Sequence, residues 1–75
     1  MRVEEVVAKV FNLDTTEVTD ALSKETIAEW DSMGHLSLIT SLEERYKISL
    51  AISDAMEMTS VAKIKSVLKN YGISS

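Results

Sequence analysis

The pattern of apolar residues predicts an all-α protein: a small four-helix bundle with a long first loop and a short third helix. Three observations carry this. Val3, Val6, Val7, Val10 and Phe11 recur at the spacing of one helix face, and so do Val61, Ile64, Val67, Leu68 and Tyr71. The β-branched residues are many, but they follow helical spacing and rarely alternate with polar ones as a half-buried strand requires. Chain breakers are few, with two glycines and no proline in 75 residues.

The first helix is expected from about residue 2 to about residue 11, with Arg2, Glu4, Glu5 and Lys9 opposite the valines. A helix this short must be held by packing, because its own propensity cannot sustain it. Residues 12–31 show no sustained period. Asn12, Asp14, Thr15, Thr16, Thr19, Asp20 and Ser23 supply turn chemistry there. Leu13, Val18, Leu22 and Ile27 are spaced irregularly and are expected to pin this loop to the core, with one or two short helical turns inside it. Trp30 is expected to anchor its end. Loops of this length in small domains are often functional.

The second helix opens at Asp31 or Ser32, both good N-cap types. Its expected apolar face is Met33, Leu36, Ile39, Leu42 and Tyr46. His35, Ser37, Thr40, Ser41, Glu44 and Arg45 lie mostly opposite, and Leu38 sits off the stripe as a second packing contact. The helix ends near Tyr46 or Lys47. Ile48, Leu50 and Ile52 then alternate with polar or small residues, as an extended connector whose apolar side chains plug the core. A short third helix over 53–58, capped by Ser53, leads to a fourth capped by Thr59 or Ser60. Lys63, Lys65 and Lys69 line the outside of the fourth helix, and Gly72 stops it. The last few residues are expected to be loose.

Bulk properties narrow the function. One domain, 1–75, is the natural division, and so short a chain buries only about 60% of its unfolded surface. With 45% apolar and 27% charged residues the chain is globular. A net charge of −4 argues against a nucleic-acid partner, which favours clustered Lys and Arg. The acidic residues at the N-terminus do not fit a signal peptide, and no apolar run reaches the length of a membrane span, so a cytoplasmic protein is expected. With no cysteine and a single histidine there is no disulfide framework and no metal-ligand cluster.

Chemistry concentrates at Trp30-Asp31-Ser32-Met33. A serine that opens a helix is exposed, and its hydroxyl lies at the positive end of the helix dipole, where a phosphate ester is the natural group to carry. His35 lies one turn on, so a Ser/His pair is conceivable, but a nucleophilic site also needs an orienting group and an oxyanion hole, for which so small a fold offers no pocket.

With this helix order around it, the chain resembles the acyl and peptidyl carrier protein family over nearly its whole length. The match includes the short first helix, the long polar loop, Asp31-Ser32 at the start of the second helix, Ser41-Leu42-Glu43-Glu44-Arg45-Tyr46 at its far end, and a Thr-Ser-capped fourth helix. The resemblance implies that Ser32 is esterified with 4′-phosphopantetheine from coenzyme A, and that the arm's thiol carries acyl or aminoacyl groups as thioesters. It implies no catalysis by the chain itself and a monomer. The implied partners are a phosphopantetheinyl transferase, an acyl- or aminoacyl-loading ligase and downstream acyl-transfer enzymes. Asp31, Met33, Glu43, Glu44 and Met56 are the implied contacts with them. Fatty-acid carriers usually show Gly-x-Asp-Ser-Leu and a strongly acidic second helix. Glu29-Trp30-Asp31-Ser32-Met33-Gly34-His35 and the mixed face of this helix look more like discrete carriers from specialised pathways.

Each of these residues also has a structural alternative. Ser32 could be only an N-cap within an unmodified helical interaction module. Asp31 could be a second cap, and Met33, Met56 and Met58 core filler. Glu43, Glu44, Asp54 and Glu57 could simply form a solvated face.

Overall fold

The computed structural model describes residues 2–73; Met1, Ser74 and Ser75 lie outside them, and with them the end of the chain expected to be loose. Four α-helices follow one another: α1 (Val3–Phe11), α2 (Ser32–Tyr46), α3 (Ile52–Glu57) and α4 (Val61–Asn70). A single 3-10 turn at Thr15–Glu17 interrupts the first loop, where short helical turns are expected. Helix α1 packs on α2 and α4, and α3 packs on α4.

The valine stripe of α1 forms as its spacing predicts: Val3, Val6, Val7 and Phe11 are buried, joined by Ala8. Asn12, in the left-handed region at φ 57°, ends the helix. In α4, Val61, Ile64, Val67 and Leu68 are buried, and the Ser60 hydroxyl caps the helix by accepting the Lys63 amide at 3.1 Å. The long loop is fastened at both ends. Val18 and Trp30 are buried in the core, with Leu13, Leu22 and Ile27 packed against it. Lys24 N–H donates to Thr59 O at 3.1 Å, and Val61 N–H to Leu22 O at 2.9 Å, so the loop is stitched to the start of α4.

Three expectations are corrected. The core face of α2 is Leu38 and Leu42, both fully buried, with Ile39 and Tyr46 beside them, whereas Met33 and Leu36 are 74% and 64% exposed. Leu36 and Leu38 lie roughly 200° apart around a helix, so only one of the two apolar stripes can face the bundle. Second, α3 starts at Ile52 behind Ala51, without a side-chain cap, so Ser53 is not the cap. Of the connector's apolar residues Ile48 and Leu50 pack against the core as expected, whereas Ile52 is 81% exposed, and Met58, which follows the helix, is fully buried. Third, Lys65 is not simply an outer lysine. Its ammonium bridges Glu4 Oε2 at 2.6 Å and Asp20 Oδ1 at 2.7 Å, tying α4 to α1 and to the loop.

Candidate functional site at the start of α2

The first turn of α2 is seated by Trp30 and Gly34. Trp30 is 2% exposed and stacks on Phe11 with ring centroids 5.2 Å apart. Gly34 lets the helix lie against the end of the loop: a Cβ there would overlap the Glu29 carbonyl oxygen and come within 2.9 Å of Phe11 Cε1. The two residues seat the helix start against the loop and Phe11, while Asp31, Ser32 and Met33 between them face solvent.

Asp31, not Ser32, is the cap. Asp31 Oδ1 accepts the Gly34 amide at 2.9 Å, and the Asp31 carbonyl accepts the His35 amide at 2.7 Å. Ser32 is the first helical residue, exposed, and its hydroxyl has no hydrogen-bond partner among the described residues. The amides of Ser32 and Met33 belong to the first turn, where no helical carbonyl reaches them. The site therefore presents a free hydroxyl beside free N–H donors at the positive end of a 15-residue helix. These groups fit a phosphodiester on Ser32 Oγ.

His35, expected opposite the apolar face of α2, is half-buried. Its Nδ1 accepts the Trp30 indole N–H at 3.0 Å, and its Nε2 lies 2.8 Å from the Ala55 carbonyl oxygen in α3. Both ring nitrogens are occupied and neither bonds to Ser32, so the Ser/His pair is not assembled. An open cleft of about 530 Å³ starts at Ser32, with Lys24, Trp30, His35, Leu36 and Met56 among its walls. A groove of about 480 Å³ between α1 and α2 does not include Ser32.

Met56 is 70% exposed, and with Met33, Leu36 and Ile52 it makes four large apolar side chains exposed on α2 and α3. Spacing alone places Leu36 and Ile52 in the core, and nothing local distinguishes them from core residues. Of the two adjacent acids at the end of α2, Glu44 is exposed. Glu43 is half-buried, and its Oε2 accepts the Leu50 amide at 2.8 Å. Asp54 is not purely solvated either, since its Oδ2 accepts the Tyr71 hydroxyl at 2.6 Å. No group of three or more His, Cys, Asp or Glu side chains among the described residues is placed to hold a metal ion, and no described helix is long and apolar enough to cross a membrane.

No family model matches the chain, and no curated protein matches it in sequence. A solved structure does match: the solution NMR structure of a holo acyl carrier protein from Geobacter metallireducens, 29% identical, superposes with a TM-score of 0.79 over 91% of this chain and 78% of that one. The chain is acyl carrier protein-like, with four helices in that fold and Ser32 at the mouth of the second.

Proposed function

We propose that the protein is a carrier whose Ser32 holds 4′-phosphopantetheine. The observation that carries this is the division of labour at the start of α2. Asp31 supplies the cap, and Ser32 Oγ is left exposed and unpartnered at a rigid helix terminus. Within a phosphopantetheinyl transferase, Ser32 Oγ attacks the β-phosphorus of coenzyme A. A P–O bond forms to serine, the bond to the 3′,5′-ADP portion breaks, and the serine proton passes to a base of the transferase. When bound, the arm supplies a thiol on which acyl or aminoacyl groups travel as thioesters. The chain's own contribution is placement. The first-turn amides stabilise the phosphodiester, and Trp30 and Gly34 keep the attachment point from moving.

Exposed Met33, Leu36, Ile52 and Met56 form the face that meets partner enzymes, and methionine suits a surface that adapts to several of them. The partners are the transferase, a loading ligase and acyl-transfer enzymes. Of the three acids implied as contacts, Asp31 and Glu44 are exposed, whereas Glu43 is half-buried and holds the Leu50 amide. So sparsely acidic a face favours service in a specialised pathway over fatty acid synthesis.

The test is intact mass after incubation with coenzyme A and a broad-specificity transferase. One phosphopantetheinyl group is expected on the wild-type chain and none on Ser32→Ala. A wild-type chain that stays unmodified while a control carrier is converted overturns the reading.

A further inference from the structure

The cleft that starts at Ser32 is lined one turn further along α2 by His35. The Trp30 indole at the end of the loop donates to His35 Nδ1 at 3.0 Å, and the two rings stack with centroids 6.5 Å apart. Nε2 lies 2.8 Å from the carbonyl oxygen of Ala55 in α3. An indole N–H only donates and a carbonyl only accepts, so the ring carries its proton on Nε2. The imidazole thus ties the loop to α2 and spans the seam from α2 to α3.

Helix α3 is fastened on its other sides as well. It packs on α4, and Met58 directly behind it is fully buried. At its start Tyr71 Oη accepts the Ala51 amide at 3.1 Å and donates to Asp54 at 2.6 Å. The core itself is filled: Leu38, Leu42, Met58, Ile64 and Leu68 are each fully buried. An alkyl chain passing from Ser32 through the seam into that core must displace the His35 ring. The Trp30 indole N–H, on a residue 2% exposed, then loses its acceptor, and the Ala55 carbonyl keeps only the Met58 amide at 3.3 Å. Hydrocarbon replaces neither lost bond, and a buried polar group without a partner is costly. The open cleft makes no such demand. Lys24, Asp31 and Thr59 give it polar walls beside Leu36 and Met56.

We infer that His35 is a specificity-determining residue. It bars the seam between α2 and α3, keeps the cargo outside the bundle, and so selects short or polar acyl groups over long alkyl ones. A short or polar group has the mixed walls of the cleft to rest against. A long alkyl chain that is kept out of the core stays in water, which disfavours it as cargo. The inference rests on the carrier reading of Ser32 and names the cargo class of that same site.

The experiment loads the isotopically labelled protein from acetyl-coenzyme A and, separately, from octanoyl-coenzyme A with the broad-specificity transferase, and intact mass verifies each sample. In the wild type the methyl NMR signals of Leu38, Leu42 and Ile64 are expected at the same positions in both forms, with no NOE to the octanoyl chain. Hydroxylamine should cleave the octanoyl thioester as fast as it cleaves octanoyl-coenzyme A. In His35→Ala the chain should enter, so that NOEs to those methyls appear and cleavage slows several-fold. Octanoyl NOEs to the core of the wild type overturn the inference, as does a His35→Ala protein that excludes the chain as the wild type does. Should His35→Ala not fold, Trp30→Phe, which keeps an aromatic ring and removes the indole donor, is read in the same way. A wild-type chain that takes up no acyl-phosphopantetheine is a different result: it overturns the carrier reading, and this inference falls with it.

Discussion

Asp31 Oδ1 takes the Gly34 amide at 2.9 Å, which leaves the neighbouring Ser32 hydroxyl outside the capping geometry. Asp and Ser are about equally good caps, so residue type does not say which of the two serves. What decides it is the extended backbone of Asp31, at φ −96° and ψ −167°, followed by helical Ser32. The two residues should therefore separate in their stability effects. Asp31→Ala is expected to cost about 1 kcal/mol through the lost cap, with a further few tenths from the lost negative charge at the helix start. Ser32→Ala, which removes only an exposed and unpartnered hydroxyl, should stay within about 0.5 kcal/mol. Urea unfolding of the apo variants measures both. A Ser32→Ala loss as large as that of Asp31→Ala would return the hydroxyl to a capping role.

At the scale of elements, α3 is the part held mainly by polar contacts. Glu43 receives the Leu50 amide just ahead of it, and the Tyr71 phenol bridges Ala51 N and Asp54 Oδ2. Tyr71→Phe removes both phenol bonds and leaves the ring. The expected result is faster amide exchange confined to residues 52–57, with a global loss of about 1 kcal/mol. Exchange that rises equally in α1 and α4 would instead make Tyr71 a general core contact. The same contrast explains what was legible in the sequence. Helices α1 and α4 each carry one apolar stripe, and one stripe has one destination, so Val3, Val7, Ile64 and Leu68 were readable as core. Helix α2 carries two. Leu36 and Leu38 are the same residue type two positions apart, and only the placement of α1 decides that Leu38 is buried. Ser32 was legible because helix order and an Asp-Ser boundary are local. His35 was not, because its carbonyl partner is twenty residues away in α3.

Across the whole molecule, one ion cluster joins α1, the loop and α4, and it governs how stability depends on pH. Lys65 holds the Glu4 carboxyl below its ordinary value of 4.5, chiefly by hydrogen bonding to it and against the opposing effect of burial. The hydrogen bonds from Lys65 to Asp20 and then to Glu4 raise the lysine above its ordinary 10.5. The hydrogen bond to Asp54 is the first cause that raises Tyr71 above 10.0. For Glu4, a folded value below the unfolded one means stability that is present above about pH 4.5 and lost as pH falls through the folded value. For Lys65 and Tyr71 the sign reverses: their stability is present below their unfolded values and is lost as pH rises through the folded ones. The protein should therefore hold a plateau between these limits and weaken on both sides. Glu4 is only 19% exposed in its side chain, whereas Asp20 is 67% exposed, so salt should weaken the Asp20 arm and largely spare the Glu4 arm. Lys65→Met keeps the aliphatic stem and removes the charge, which isolates the electrostatic part. At neutral pH the variant leaves Glu4 ionised beside Arg2 Nε alone, at 3.8 Å, and should be less stable than the wild type. As pH falls and Glu4 protonates in both proteins, their difference should shrink. Denaturant unfolding at a series of pH values measures that difference directly. A gap that stays constant from neutral pH down to about pH 3, below the unfolded value of a glutamate, would assign it to packing of the lysine stem and remove Glu4 from the acid limb.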